Sequence, residues 1–202
     1  MPDLREQLQQ LLQSRVCLMG LGNVDYGDDG FGVRLAQELK SEGRSPKPEG
    51  NPSQVIVCGT SPERFIGRVA DEGYEHVIFL DAVEFGGAPG SVVLLDSDEM
   101  AARFPQVSTH KLSLGLLARQ VESNGQTRAW LLGVQPESLR QGEQLSPTVN
   151  ATLQLLLELI TDVSLVGRAV LCAPRPCFTP STATARRAED CAPYQESPEV
   201  MA

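Results

Sequence analysis

The segment "RVCLMGLGNVDYGDDGFGVRLAQEL", residues 15–39, constrains the fold more than any other part of the chain. Its first part, 15–22, is a short apolar run closed by glycines, the pattern of a strand buried on both faces of a parallel sheet. After an acidic loop, "GVRLAQELKSEG" sets Val33, Leu35, Ala36 and Leu39 on one helical face, with Gly43 as a C-terminal stop. A strand feeding a helix through a glycine loop is half of a βαβ unit, the crossover that parallel strands require.

The alternation continues along the chain. "QVIVCG" (54–59) reads as a strand, and "SPERFIGRVADEG" as a helix with Ser61 at its N-cap and Pro62 at its first position. "HVIFLDAV" (76–83) is the most apolar strand, belongs at the centre of the sheet, and carries Asp81 towards its end. A strand "GSVVLLD" (90–96), a helix "LSLGLLARQVES" (112–123), a strand "RAWLLGVQP" (128–136) and a helix "SPTVNATLQLLLELI" (146–160) follow. The expected fold is α/β: a three-layer αβα sandwich around a mostly parallel, twisted sheet. Leu4, Leu8, Leu11 and Leu12 make residues 1–14 a lead-in helix, 15–166 form the domain, and 167–202, rich in Pro, Ser, Thr and Ala, read as a disordered tail.

Charge and cysteine content narrow the function classes. Seventeen basic against 26 acidic side chains give a net charge of -9, which argues against nucleic acid and anionic membranes as partners. The sequence shows neither a signal-peptide pattern nor an apolar run of membrane-spanning length, so the cytoplasm is the expected location. Five cysteines without a CxxC pair favour reduced thiols over a disulfide framework or a structural zinc site. Cys17 and Cys58 fall inside apolar strands, where a thiol is inert rather than nucleophilic.

In an open parallel sheet, ligands bind beyond the carboxyl ends of the strands, where the strand order reverses. Asp28 and Asp29 follow the first strand, Asp81 closes the strand "VIFLD", and His110 precedes the helix of "STHKLSLGLL". Taken singly, each has a structural explanation: a cap in a first helical turn, a strand-end turn, a surface histidine. Together, carboxylates and an imidazole from three loops on one rim form a mixed N/O donor set suited to Ni, Zn or Co rather than Ca or Mg. Negative charge at the glycine loop would repel a pyrophosphate, and Asp25 stands where GxGxxG requires its third glycine, so the loop disfavours a dinucleotide.

With these motifs in order, the chain resembles the maturation endopeptidases of nickel-iron hydrogenases. The resemblance rests on "GLGNVDYGDDGFGVRL", "VIFLDAVEFGGAPGSVVLLD", "STHKLSLGLL", "LLGVQPESL" and "QLSPTVNATLQLLLELI", spanning about residues 15–161. It implies an aspartic-type endopeptidase whose metal-contacting and catalytic residues are Asp29, Asp81 and His110, with Asp28 and Asn23 shaping the loop. It further implies a monomer that acts on a hydrogenase large-subunit precursor and removes a C-terminal extension after nickel has been installed. The nickel is carried by that precursor and contacted by the enzyme. "CGTSPERF" is similar to a family segment that often has an Asp just before it, where this chain has Val57 or Cys58. Two other readings share some features: a non-catalytic nickel-sensing chaperone of the large subunit, and a peptidyl-tRNA hydrolase-like esterase, which also begins "GLGN". The acidic balance weighs against the second.

Overall fold

A computed structural model describes residues 3–41, 53–104, 113–142 and 144–169, with side chains described as far as residue 162. Five strands form one sheet: β1 (Val16–Leu21), β2 (Gln54–Gly59), β3 (His76–Ala82), β4 (Val92–Asp96) and β5 (Arg128–Val134). The helices are α1 (Leu4–Leu12), α2 (Phe31–Ser41), α3 (Glu63–Asp71), α4 (Ser97–Arg103), α5 (Leu114–Glu122) and α6 (Pro147–Ala169). The strand order is β2-β1-β3-β5-β4. All neighbours pair in parallel except β4, which runs antiparallel to β5 along one edge. The α/β sandwich and the central place of "HVIFLDAV" agree with the sequence.

The period of two along β1 builds two cores at once. Cys17, Met19 and Leu21 face α3, α4 and α5, where Ile66, Val69, Met100, Leu117 and Val121 close the packing. Val16 and Leu18 face α1, α2 and α6, against Leu8, Leu35, Leu39, Leu153 and Ile160. Each face is therefore covered by three helices, and every residue of β1 is buried.

Two local expectations are corrected. Helix α3 starts at Glu63 with Pro62 as N-cap and no side-chain cap, so Ser61 lies outside it. Helix α4, absent from the sequence reading, is set by a capping box: Asp96 accepts from the Glu99 N–H at 2.8 Å, and the Glu99 carboxylate accepts from the Asp96 N–H at 3.2 Å. The other caps follow the sequence more closely. Ser113 accepts from the Leu116 N–H at the head of α5, and Ser146 does so from the Val149 N–H at the head of α6. Gly43 and most of the region read as a disordered tail lie outside the described residues, although α6 continues to Ala169, past the expected domain end at 166.

What positions the rim is the approach of α2 to the strand ends. A Cβ on Gly32 would lie 1.9 Å from the Leu80 oxygen and 2.6 Å from the Leu21 oxygen. The first turn of α2 thus rests directly on the carboxyl ends of β1 and β3. Gly32→Ala is expected to lower stability by about 3 kcal/mol, the upper range for overpacking, because backbone on both sides leaves no soft neighbour to yield. Urea denaturation of the two proteins checks it.

Candidate active site

The connection leaving β1 runs through α2 to β2 on one side of the sheet, whereas the chain leaving β3 passes through β4, α4 and α5 to β5 on the other. The order reverses between β1 and β3, and the crevice opens there. Gly22 ends β1 at φ 111, and a Cβ on it would lie 1.8 Å from the Asp29 oxygen. Only glycine allows both that backbone conformation and that approach. The chain then turns through Asn23 and enters a 3-10 turn, Gly27–Gly30, which carries both aspartates and also touches β3.

The two adjacent carboxylates have different surroundings. Asp28 is fully buried, and it is a tie between loops rather than a cap of its own helix. Its Oδ2 accepts from the N–H groups of Glu137 at 2.8 Å and Ser138 at 3.0 Å, and its Oδ1 from the Ser146 N–H at 2.6 Å. Its own N–H donates to the Ser138 oxygen at 2.9 Å. One side chain therefore joins the loop after β1, the segment after β5 and the N-terminus of α6, where a negative group is also favoured by the helix dipole.

Asp29 is 4% exposed, and its Oδ2 accepts from the Asn23 N–H at 2.7 Å. Asn23 in turn accepts at its own Oδ1 from the Asp25 N–H at 3.0 Å, so this residue shapes the loop on both sides. Asp29 lines a cavity of about 280 Å³ together with Asn23, Tyr26, Thr60 and Leu139. Asp81 is 2% exposed at the end of the neighbouring strand, and its Oδ1 accepts from the Ala82 N–H at 2.9 Å. The fold thus brings Asp29 and Asp81 to the ends of adjacent strands, with the Gly32 contact holding the two ends together. His110 lies outside the described residues.

Sequence reasoning missed three members of the cavity wall. Thr60 follows β2 directly, so the strand-end rule that singled out the aspartates would have found it. Tyr26 and Leu139 had no such signal, because both stand in loops whose meeting depends on Asp28.

The remaining chemistry-bearing groups fall elsewhere. Cys17 and Cys58 are buried, and desolvation pushes the Cys58 thiol up to about 12 and that of Cys17 further up. Neither supplies a thiolate near neutral pH. His76, one of the chain's two histidines, is the first residue of β3 and accepts from Trp130 Nε1 at 3.2 Å through Nδ1. Burial lowers its pKa. It borders a larger hollow of about 720 Å³ with Asp96, Arg128 and Trp130 at the amino ends of β3 and β5. Five residues of extended strand, roughly 16 Å, separate it from Asp81. Size alone would choose that hollow, but neither Asp29 nor Asp81 lines it.

Buried carboxylates at the switch point of an αβα sandwich stand where such folds bind their ligands. Comparison with known proteins narrows the class. The model of a family described as hydrogenase maturation protease matches residues 33–163. The hydrogenase 2 maturation protease of Escherichia coli K12 is 30% identical over 148 residues, 71% of this chain and 87% of that protein. The solved structure of the NiFe hydrogenase maturation protease HycI from Thermococcus kodakarensis KOD1 is 30% identical at a TM-score of 0.66, covering 79% of this chain and 99% of that one. The hydrogenase maturating endopeptidase HybD from E. coli gives 31% identity and a TM-score of 0.60, over 72% and 89%. The chain belongs to the hydrogenase maturation proteases and is an endopeptidase.

The division of labour between the two aspartates is testable. Asp28→Ala leaves three backbone N–H groups without their acceptor and is expected to cost about 3 kcal/mol or more, since bonds to a charged group are worth about 1.5–3 kcal/mol each. Asp29→Asn retains an oxygen for the Asn23 N–H and should change stability by less than about 1 kcal/mol. Denaturation midpoints of the two variants separate the roles.

Proposed function

We propose that this endopeptidase removes a C-terminal extension from a hydrogenase large-subunit precursor once nickel has been installed, with Asp29, Asp81 and His110 as the reacting set. The carrying observation is the pair of buried carboxylates at the ends of β1 and β3, each held by a neighbouring backbone N–H. Such bonds orient the carboxylates.

The imidazole assignment rests on the family motif that His110 matches, and the rest of the chain is consistent with it. Only two histidines exist, and His76 is committed to Trp130 at the opposite end of the sheet. Helix α5 begins at Leu114 and precedes β5, which runs parallel to β3, so its N-terminus belongs to the carboxyl edge that holds both aspartates. His110 lies shortly before that terminus in sequence.

Two carboxylates and an imidazole suit nickel as a borderline N/O set, and the nickel in this reading is the substrate's own. When bound it would polarise the scissile carbonyl or acidify a water. The chain's own part is to grip the loaded precursor and to hold a carboxylate, Asp29 or Asp81, as base towards the attacking water. Recognition through the metal makes completed loading the condition for the cut. The reading places the enzyme in the cytoplasm as a monomer with a main domain over 15–166; among the described residues no helix is long and apolar enough to cross a membrane.

Asp29→Asn and His110→Ala are expected to slow cleavage of loaded precursor by about 100-fold or more, the range for a lost acid-base group, while His76→Ala keeps it. Mass spectrometry of the precursor reads the cut, and undiminished cleavage by the first two variants overturns the assignment. Precursor purified from nickel-starved cells should remain uncut at any enzyme concentration. Its efficient cleavage would remove nickel from the recognition step.

A further inference from the structure

Large apolar side chains are exposed at five described positions: Val24, Tyr26, Leu116, Leu139 and Leu155. Leu116 and Leu155 stand singly on α5 and α6, an ordinary occurrence. The other three gather in two loops at one place, with Val24 38% exposed, Tyr26 40% and Leu139 36%. Tyr26 and Leu139 both line the 280 Å³ cavity that contains Asp29.

This grouping is held in place by backbone. The Asp28 carboxylate binds the Glu137 and Ser138 N–H groups on the Leu139 side, and the Gly142 N–H donates to the Asp25 oxygen at 2.7 Å. The Asp29 N–H donates to the Tyr26 oxygen at 3.0 Å. These bonds therefore hold the two loops, and the backbone that carries the apolar side chains, against one another. Clustered apolar surface kept in water and fixed beside a reacting group is the mark of a binding surface.

We propose that Tyr26 and Leu139, flanked by Val24, form a specificity subsite beside Asp29 that takes one apolar side chain of the substrate peptide next to the bond to be cut. The inference rests on the proposed reaction, because Asp29 is what places the subsite next to the cut. The cavity lies below the ~300–1,000 Å³ of sites that enclose a whole small ligand, which fits one side chain of an extended peptide. Asn23, Asp29 and Thr60 supply the polar part of the wall, so an apolar group finds its partner on the Tyr26 and Leu139 side.

The test is steady-state cleavage of nickel-loaded precursor. Leu139→Ala and Tyr26→Ala should each raise KM about five- to tenfold with kcat within about twofold, the loss expected when part of an apolar contact is removed. Tyr26→Phe and Leu139→Met, which keep the apolar bulk, should retain the parent KM, so that a general loss of folding is distinguished from a lost contact. Replacing the apolar residues nearest the cut in the precursor by Ser should raise KM for the parent enzyme and add nothing further in Leu139→Ala. An unchanged KM in both alanine variants overturns the subsite. So does a fall in kcat alone, a loss in Tyr26→Phe equal to that in Tyr26→Ala, or fully additive effects of enzyme and precursor changes. A parent enzyme that leaves the loaded precursor uncut removes the proposed reaction and the subsite with it, a result distinct from cutting that is indifferent to Leu139.

Discussion

The fully buried carboxylate of Asp28 is the point on which the rim of this enzyme depends. It accepts from three backbone N–H groups, those of Glu137, Ser138 and Ser146, that are far from it in sequence. These bonds tie together segments that are distant in the chain. A buried acceptor with partners on two sides stabilises strongly when satisfied, and its loss leaves those donors without their partner. The neighbouring Asp29 accepts from the Asn23 N–H and lines the cavity. One acidic residue holds the loop, and the next is presented to the cavity.

The sheet supplies the second part of the arrangement. Because the connections from β1 and β3 depart to opposite sides, a crevice forms between their carboxyl ends. Helix α2 is drawn hard against that crevice by glycine at position 32, where any side chain would meet the Leu80 and Leu21 oxygens. The strands beneath are buried over most of their length, so the two aspartates stand beside the packed centre of the sheet.

Much of this was legible in the sequence because it is local or periodic. The apolar run of β1, the alternation of strands and helices, and the Ser146 and Pro147 start of α6 each follow from a few neighbouring residues. Helix α4 was legible too, in the spacing of Asp96 and Glu99 that makes its capping box. The misplaced cap at Ser61 has a different origin: Pro62 itself stands at the boundary, and propensity cannot choose between two adjacent candidates.

Asp81 at the end of a central strand and a carboxylate in the loop after β1 are positions that the sequence determined by itself, because strand ends in a parallel sheet face a common edge. The family resemblance implied a role in the reaction for Asp29 rather than Asp28. Only the tertiary structure decided how their surroundings differ: the difference between two adjacent aspartates lies in groups more than a hundred residues away, the N–H donors of Glu137, Ser138 and Ser146. The meeting of Tyr26 with Leu139, and the separation of His76 from the carboxylates, were decided there as well. Spacing along a chain reports what shares a helix face or a strand edge. Which distant loops are brought together depends on crossover connections and buried hydrogen bonds, and these exist only once the sheet has formed.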